Sequence, residues 1–201
     1  VKSGILTLNN GSTLTRAGYT FGGWKTSALG TATEYNGGAT YTHSGSVSNL
    51  QLYAHWIKNP PKFTVTPSSL PGFSYVETNG PSASQSFVLN GNDLENTDTD
   101  PVELVTINDK FEIAENTAGP YSHSIVLPSS YTGASKTFYV RLKADLSAGS
   151  YTDTVLISGG SAVEANYAEV ALSGNVAACF APTTQASVAS LASITSTGMT
   201  V

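Results

Sequence analysis

The chain of 201 residues has a single cysteine, Cys179, so no disulfide can form within it. Charge is scarce too. Asp, Glu, Lys and Arg make up 11% of residues against a usual ~25%, and the formal balance is −5. A net negative chain has no electrostatic reason to approach nucleic acid or an anionic membrane. No apolar run nears the ~18 residues that a membrane span needs, and no signal peptide or cleavage site is seen. Histidines number three, His43, His55 and His123. No Gly-x-Ser-x-Gly, His-Glu-x-x-His or Ser-x-x-Lys motif accompanies them. Nucleophilic catalysis needs a hydroxyl or thiol with a base in reach, and no constellation of that kind is found. What fills the chain is Ser and Thr, roughly a quarter of it, beside 40% apolar residues. Such a composition can bury a core while leaving a hydroxyl-rich, lightly charged surface.

Prolines divide the sequence. Asn59-Pro60-Pro61-Lys62 follows Trp56-Ile57, and Pro182 follows the small residues around Cys179. Proline disfavours helix and cannot donate to a central strand, so both places read as boundaries. The expected organisation is a module over 1–58, a second over 62–176 and a stub over 180–201. Val1 is no natural start, and the last residues stop inside an apolar–polar alternation, as in a piece of a longer chain. Cys179 is then either a small residue in a linker or half of a bridge to a residue beyond Val201.

The second module alternates apolar and polar residues in short runs, from Phe63 and Val65 through Phe87–Leu89, Val102–Ile107 and Phe111–Ile113. Phe138, Val140 and Leu142 fall on one face of a later run, with Tyr139, Arg141 and Lys143 on the other. Asn90-Gly91-Asn92, Asn108-Asp109, Ala118-Gly119-Pro120 and Gly159-Gly160 supply the turns between runs. Eight or nine short strands with turns at this spacing predict an antiparallel sandwich. The last run, Val163 to Val176, changes parity between Tyr167 and Ala168, where a bulge is expected. In the first module, Tyr19 and Phe21, then Leu52, Ala54 and Trp56, alternate as strands with one packed face. So small a module must draw much of its stabilisation from a few rings, and Trp24 and Trp56 are expected in its core.

The densest polar stretch is Asn90 to Asp100. Hard oxygen ligands in a loop are what Ca²⁺ takes, six to eight at a time, and Asp93, Asp98 and Asp100 are the candidates. The spacing is not that of an EF-hand, and the alternative is a solvated loop of Asx and Thr residues bonded to their own backbone. Tyr131-Thr132-Gly133-Ala134-Ser135-Lys136-Thr137 has the lysine and hydroxyl of a phosphate loop but not its first glycine, and reads as a turn. No catalytic or cofactor-binding residue is assigned, and no cofactor is expected.

Gly18-Tyr19-Thr20-Phe21-x-Gly23-Trp24, the pair Tyr35 and Gly37, and Leu52-Tyr53-Ala54-x-Trp56 resemble the Listeria–Bacteroides, or internalin B-type, repeat. The resemblance implies a β-grasp-like fold found in bacterial surface and secreted proteins, here with its first strand partly missing. The second module is similar to Ig-like sandwiches of large extracellular bacterial proteins. Phe63-Thr64-Val65-Thr66-Pro67, Gly80 to Phe87, Tyr139-Val140-Arg141-Leu142 and Leu146-Ser147-Ala148-Gly149-Ser150-Tyr151 carry that similarity. Residues 181–201 resemble the opening of a fibronectin type III domain.

Together these resemblances imply a mainly β fragment of a large secreted or cell-surface protein. Its modules are expected to be non-enzymatic spacers, for adhesion and the display of other domains. The alternative is an accessory module with a real carbohydrate or protein ligand. The expected partners are an unknown protein or polysaccharide and the neighbouring domains of a longer chain, without nucleic acid or membrane insertion.

Overall fold

The computed structural model describes residues 4–28, 34–43 and 51–180. Five strands precede the first pair of prolines: β1 (Gly4–Thr7), β2 (Tyr19–Lys25), β3 (Glu34–Tyr35), β4 (Thr40–His43) and β5 (Tyr53–Lys58). They form an antiparallel pair, β1 with β4, and an antiparallel sheet in the order β3-β2-β5. Within the second, Trp24 and Trp56 meet the Phe21 ring edge-on at 5.3 and 5.9 Å between centroids, and Tyr35 of β3 meets Tyr41 of β4 edge-on at 5.5 Å between the two. The Trp24 Nε1–H donates to the Asn9 carbonyl at 2.7 Å, tying the turn after β1 to the face of β2. Both tryptophans are half-buried rather than enclosed, unlike the expected core. With Leu8 the one buried large apolar side chain described here, the rings stabilise by stacking on each other at a partly wet surface.

Nine strands follow: β6 (Lys62–Thr66), β7 (Ser69–Val76), β8 (Gln85–Asn92), β9 (Glu103–Thr106), β10 (Phe111–Ala114), β11 (Ser124–Val126), β12 (Lys136–Leu142), β13 (Gly149–Ser158) and β14 (Ala168–Ala177). They make two facing sheets, β10-β12-β8-β6 and β11-β9-β13-β14-β7, the expected Ig-like sandwich. The period-two pattern places Phe87, Leu89, Phe138, Val140 and Leu142 inside one sheet, and Leu104, Val155, Ile157 and Val170 inside the other, all essentially inaccessible to water. Phe87 stacks on Phe138, and Phe73 meets Phe111 edge-on at 5.2 Å. Truncating any of these rings removes contacts worth roughly 3–5 kcal/mol.

One pairing departs from the antiparallel pattern, since β7 runs parallel to β14. The cause is a change of sheet. β6 pairs antiparallel with β8 in the first sheet, then the chain crosses at Pro67 and Ser68 and continues in the same direction along β14 in the second. A proline has no N–H to leave unpaired at such a crossing. The opposite edge is bridged in a similar way. Ser122 exchanges backbone hydrogen bonds with Ile113 of β10 at 2.8 and 2.9 Å, and the residues that follow pair with β9 as β11. Each edge is thereby shared between the sheets, which shortens the unpaired row open to another chain.

The last run also differs from expectation. Glu164–Asn166 is a 3₁₀ turn, and the strand begins only at Ala168, so the parity change at Tyr167 marks a strand start. The irregular step in β14 falls instead between Leu172 and Gly174, opposite β7. A side chain at Gly174 would press on the Phe73 carbonyl, which explains a glycine there. The stretch 131–137 is not a free turn either: Tyr131 is buried in the core, and Gly133 crosses Gly91 so closely that a Cβ would meet the Gly91 carbonyl.

Asp153 on β13 is the buried acid of the fold, 5% exposed. It accepts from the backbone N–H of Asn108 at 2.9 Å, Lys110 at 3.2 Å and Thr154 at 2.7 Å. Asn108 and Lys110 belong to the turn by which the chain leaves β9 for β10 and the other sheet. Replacing Asp153 by Ala strands these donors and is expected to cost about 3 kcal/mol. Urea unfolding followed by tyrosine fluorescence measures this, and a loss under about 1 kcal/mol would show that water takes over the turn.

Candidate functional site

The loop between β8 and β9 holds the three calcium candidates, and the structure separates them. The Asp100 carboxylate accepts from Ser161 N–H at 2.8 Å, while Asp100 N–H donates to the Asn96 carbonyl at 2.7 Å. Asn96 Nδ2 donates to Ser161 Oγ, and Thr97 Oγ1 to the Ser129 carbonyl. Asp93 faces the other way, against Gly18 of the N-terminal strands, and Asp98 is exposed. No three metal-ligating side chains converge among the described residues. The hydroxyls and amides of this loop bind it to the neighbouring loops at residues 129 and 159–161, the use that Asx and Thr side chains have in turns.

Three other places gather polar groups. The first is the junction between the N-terminal strands and the sandwich. Lys58, the last residue of β5, pairs with Glu95 at 2.6 Å, and this carboxylate raises the Lys58 pKa above the usual lysine value. Asn59 N–H donates to the Gly18 carbonyl at 2.9 Å, and Thr20 Oγ1 donates to Asn59 Oδ1 at 2.7 Å. From the sandwich side, Asn166 Nδ2 donates to the Pro61 carbonyl at 3.0 Å. A cleft of about 440 Å³ lies here, lined by Thr20, Asn59, Pro60, Lys62, Asn92 and Asp93.

The second place is a cleft of about 250 Å³ on the N-terminal strands, lined by Arg16, Lys25, Tyr53 and His55 among others. The β2–β5 register pairs Lys25 with Tyr53 and Gly23 with His55, so Lys25, Tyr53 and His55 share one face, while Ala54 and Trp56, which also line the cleft, and Arg16, bridged to Tyr19, belong to the other. Lys25 Nζ holds Glu34 at 2.7 Å, which keeps the Glu34 carboxyl below the usual carboxylate range. Arg16 lies over the Tyr19 ring at 4.0 Å and has no carboxylate partner among the described residues. The third is a shallow groove of about 450 Å³ along β7, β13 and β14, lined by Gly72, Gly174 and small hydroxyl residues beside Tyr151. The Tyr151 hydroxyl is already spent on the Ser147 carbonyl at 2.7 Å, which anchors the turn before β13.

Among the described side chains, His55 and His123 do not meet in a catalytic group. His55 is half-buried rather than turned fully outward, because Gly22 leaves room for the ring. Its nearest ionisable partner is Glu34 at 3.8 Å. His123 Nδ1 lies 2.9 Å from the buried Thr106 hydroxyl, which also donates to the Phe111 carbonyl. That contact ties β9 to the edge crossing. Cys179 is a free, exposed thiol whose N–H reaches Glu77 at 3.3 Å. The fibronectin-like stub lies outside the described residues, apart from Phe180.

Residues 2–55 match the family model of the Listeria-Bacteroides repeat domain. It is the family that the aromatic and glycine pattern of residues 18–56 resembles. No curated protein matches the chain. Among solved structures, the chain is similar to the CooA pilin subunit from enterotoxigenic Escherichia coli at 12% identity and a TM-score of 0.33. That likeness covers 61% of this chain and 100% of the pilin, and is too low to carry an argument.

Since Asp100 is taken up by Ser161 and Asp93 faces Gly18, millimolar Ca²⁺ and EDTA are expected to leave the melting temperature unchanged. A calcium site at 100-fold excess over its dissociation constant would add about 2.7 kcal/mol. A shift of that size, abolished by Asp98→Ala, would establish the metal site instead.

Proposed function

We propose that this chain is a non-enzymatic structural segment of a bacterial surface or secreted protein, in which a Listeria–Bacteroides repeat and an Ig-like sandwich form a stiff spacer. The division at residues 59–61 into two modules is part of that proposal. The observation that carries it is the junction. Three residues separate β5 from β6, two of them prolines, and both sides hold them. Asn59 is bonded to Gly18 and Thr20, the Pro61 carbonyl to Asn166, and Lys58 to Glu95 across the gap.

A flexible linker of Gly and Ser would sample many directions; two prolines already restrict φ at two of the three positions. The exposed ion pair adds little by itself. Its value here is directional, because it fixes a point off the axis of the linker. A spacer needs no catalytic group and tolerates a hydroxyl-rich surface of low charge, and the repeat family supports a place at the cell surface.

The experiment is to align the protein weakly and measure residual dipolar couplings for amides of β2 and β5 and for those of β12 and β13. A stiff spacer gives both sets one alignment tensor. Insertion of Gly-Ser-Gly between Pro60 and Pro61 should split it in two while leaving each set of strands folded. Two tensors in the unaltered protein would refute the spacer reading.

A further inference from the structure

The two sheets of the sandwich treat charge differently. In β10-β12-β8-β6 and the turns beside it, bases and acids are matched. Lys136 pairs with Glu115 at 2.9 Å, Arg141 with Glu112 at 2.6 Å and Lys143 with Asp109 at 3.1 Å. The strands of the other sheet, β11-β9-β13-β14-β7, contain no lysine or arginine at all. That sheet nonetheless carries Glu103 and Glu169, with Glu164 on the 3₁₀ turn beside them. None of the three has a cationic partner among the described residues.

These acids edge an apolar surface. Leu104, Val155, Ile157 and Val170 face the core, so the alternation turns Glu103, Val105, Leu156 and Glu169 outward. The register sets Leu156 between Val105 on β9 and Glu169 on β14, and Glu103 beside Val126 of β11. Ile107 stands in the next row, its N–H donating to the Thr154 carbonyl at 3.0 Å. Val126 and Ile107 are each 57% exposed. The outer face of this sheet is thus a patch four strands wide, about 15 Å across, of branched apolar side chains. At its β14 side lies a hollow of about 300 Å³ lined by Leu156, Glu164, Tyr167 and Glu169.

We propose that this face docks a basic, apolar segment of a partner protein, with a lysine or arginine side chain in the hollow. Its stem lies on Leu156 and Tyr167 and its charge meets Glu164 and Glu169, while apolar neighbours cover Val105, Val126 and Ile107. Lysine and arginine pair an apolar stem with a charged head, the same pairing of surfaces that the hollow offers. Charge complementarity selects such a segment and repels acidic ones. A second copy of this chain does not supply the complement. Its Lys25, Lys58, Lys136, Arg141 and Lys143 are held by carboxylates of their own chain, and two such faces would set acid against acid. A patch this narrow falls well short of the ~800 Å² per partner of a standard interface, so it suits a short segment better than the face of a folded domain. The proposal stands apart from the spacer reading, because it concerns the sandwich alone and not the junction.

The test is an NMR titration of the full chain with a decapeptide of alternating lysine and valine. Parallel titrations use the same peptide with serine for valine, the same peptide with glutamate for lysine, and spermine. The lysine–valine peptide should shift the amides of Val105, Leu156 and Glu169 and leave those of Phe87 and Phe138 in place. Glu164→Gln combined with Glu169→Gln should weaken it about fivefold, as expected for two exposed ion pairs. Glu115→Gln, the same charge change beside the other sheet, should leave binding within about twofold. Glu164 and Glu169 are exposed, so the double variant is expected to fold, and an unchanged melting curve verifies this. Absence of binding overturns the proposal, as do shifts confined to the other sheet. Equal binding of spermine or the serine peptide overturns it by showing attraction to cations alone, and equal binding of the glutamate peptide by showing no charge selection. Concentration-dependent shifts of the same amides without peptide would make a second copy the occupant instead.

Discussion

Two oxygens of Asp153 collect three backbone N–H groups at the point where the chain turns from β9 out of one sheet and into β10 of the other. A carboxylate buried to this degree is costly unless its hydrogen-bonding capacity is used, and here two of its three donors belong to a tight turn that cannot satisfy them internally. The rest of the sandwich depends on that exchange. If the turn at residues 107–110 loosened, Phe111 would lose its place against Phe73, and β10 its register on β12. Thr106 and Asp153 secure the two ends of one corner, the first through the Phe111 carbonyl and the second through Asn108 and Lys110.

The sandwich was legible because its core follows a period of two. Phe138, Val140 and Leu142 alternate with Tyr139, Arg141 and Lys143 in the sequence, and the structure buries the first three completely. The sheet crossings were not legible. β6 and β7 read as two strands split by Pro67, and nothing local tells that the second joins a different sheet in parallel. That choice is made by which partner strand lies within reach once both sheets have formed. The parity change at Tyr167 was visible, yet a strand bulge and a 3₁₀ turn leave the same mark on an alternation, and the turn is what forms. Asp153 escaped notice for a related reason. It occupies a strand position as an isolated acid, and its donors lie more than forty residues earlier in the chain.

The polar groups show the same division between local and distant information. Asp93, Asp98 and Asp100 form a cluster only along the sequence. In space the loop spreads them, because Asp100 and Asn96 turn to Ser161 while Asp93 turns to Gly18. Conversely, Lys25 and His55 are distant in the sequence and come to one face through the pairing of β2 with β5. Arg16 belonged to the family-like stretch by its neighbours Gly18 and Tyr19, and its position over the Tyr19 ring is the one part of the cleft set by adjacent residues.

What remains is why the N-terminal strands carry their charge outward. Its aromatic face is consumed internally, with Phe21, Trp24 and Trp56 packed on one another and Trp24 bonded to Asn9. The opposite face of β2 and β5 therefore has no core to join, and β propensity favours residues that tolerate half-burial there, such as Tyr53. On a sheet of three strands such a face must be polar to stay soluble, and either sign would serve for solubility. An excess of bases in these strands beside a sandwich with an excess of acids adds an attraction between them, in which Lys58 pairs with Glu95. The same asymmetry draws the end of β5 toward the loop after β8, where Glu95 holds Lys58 and Asp93 lies against Gly18.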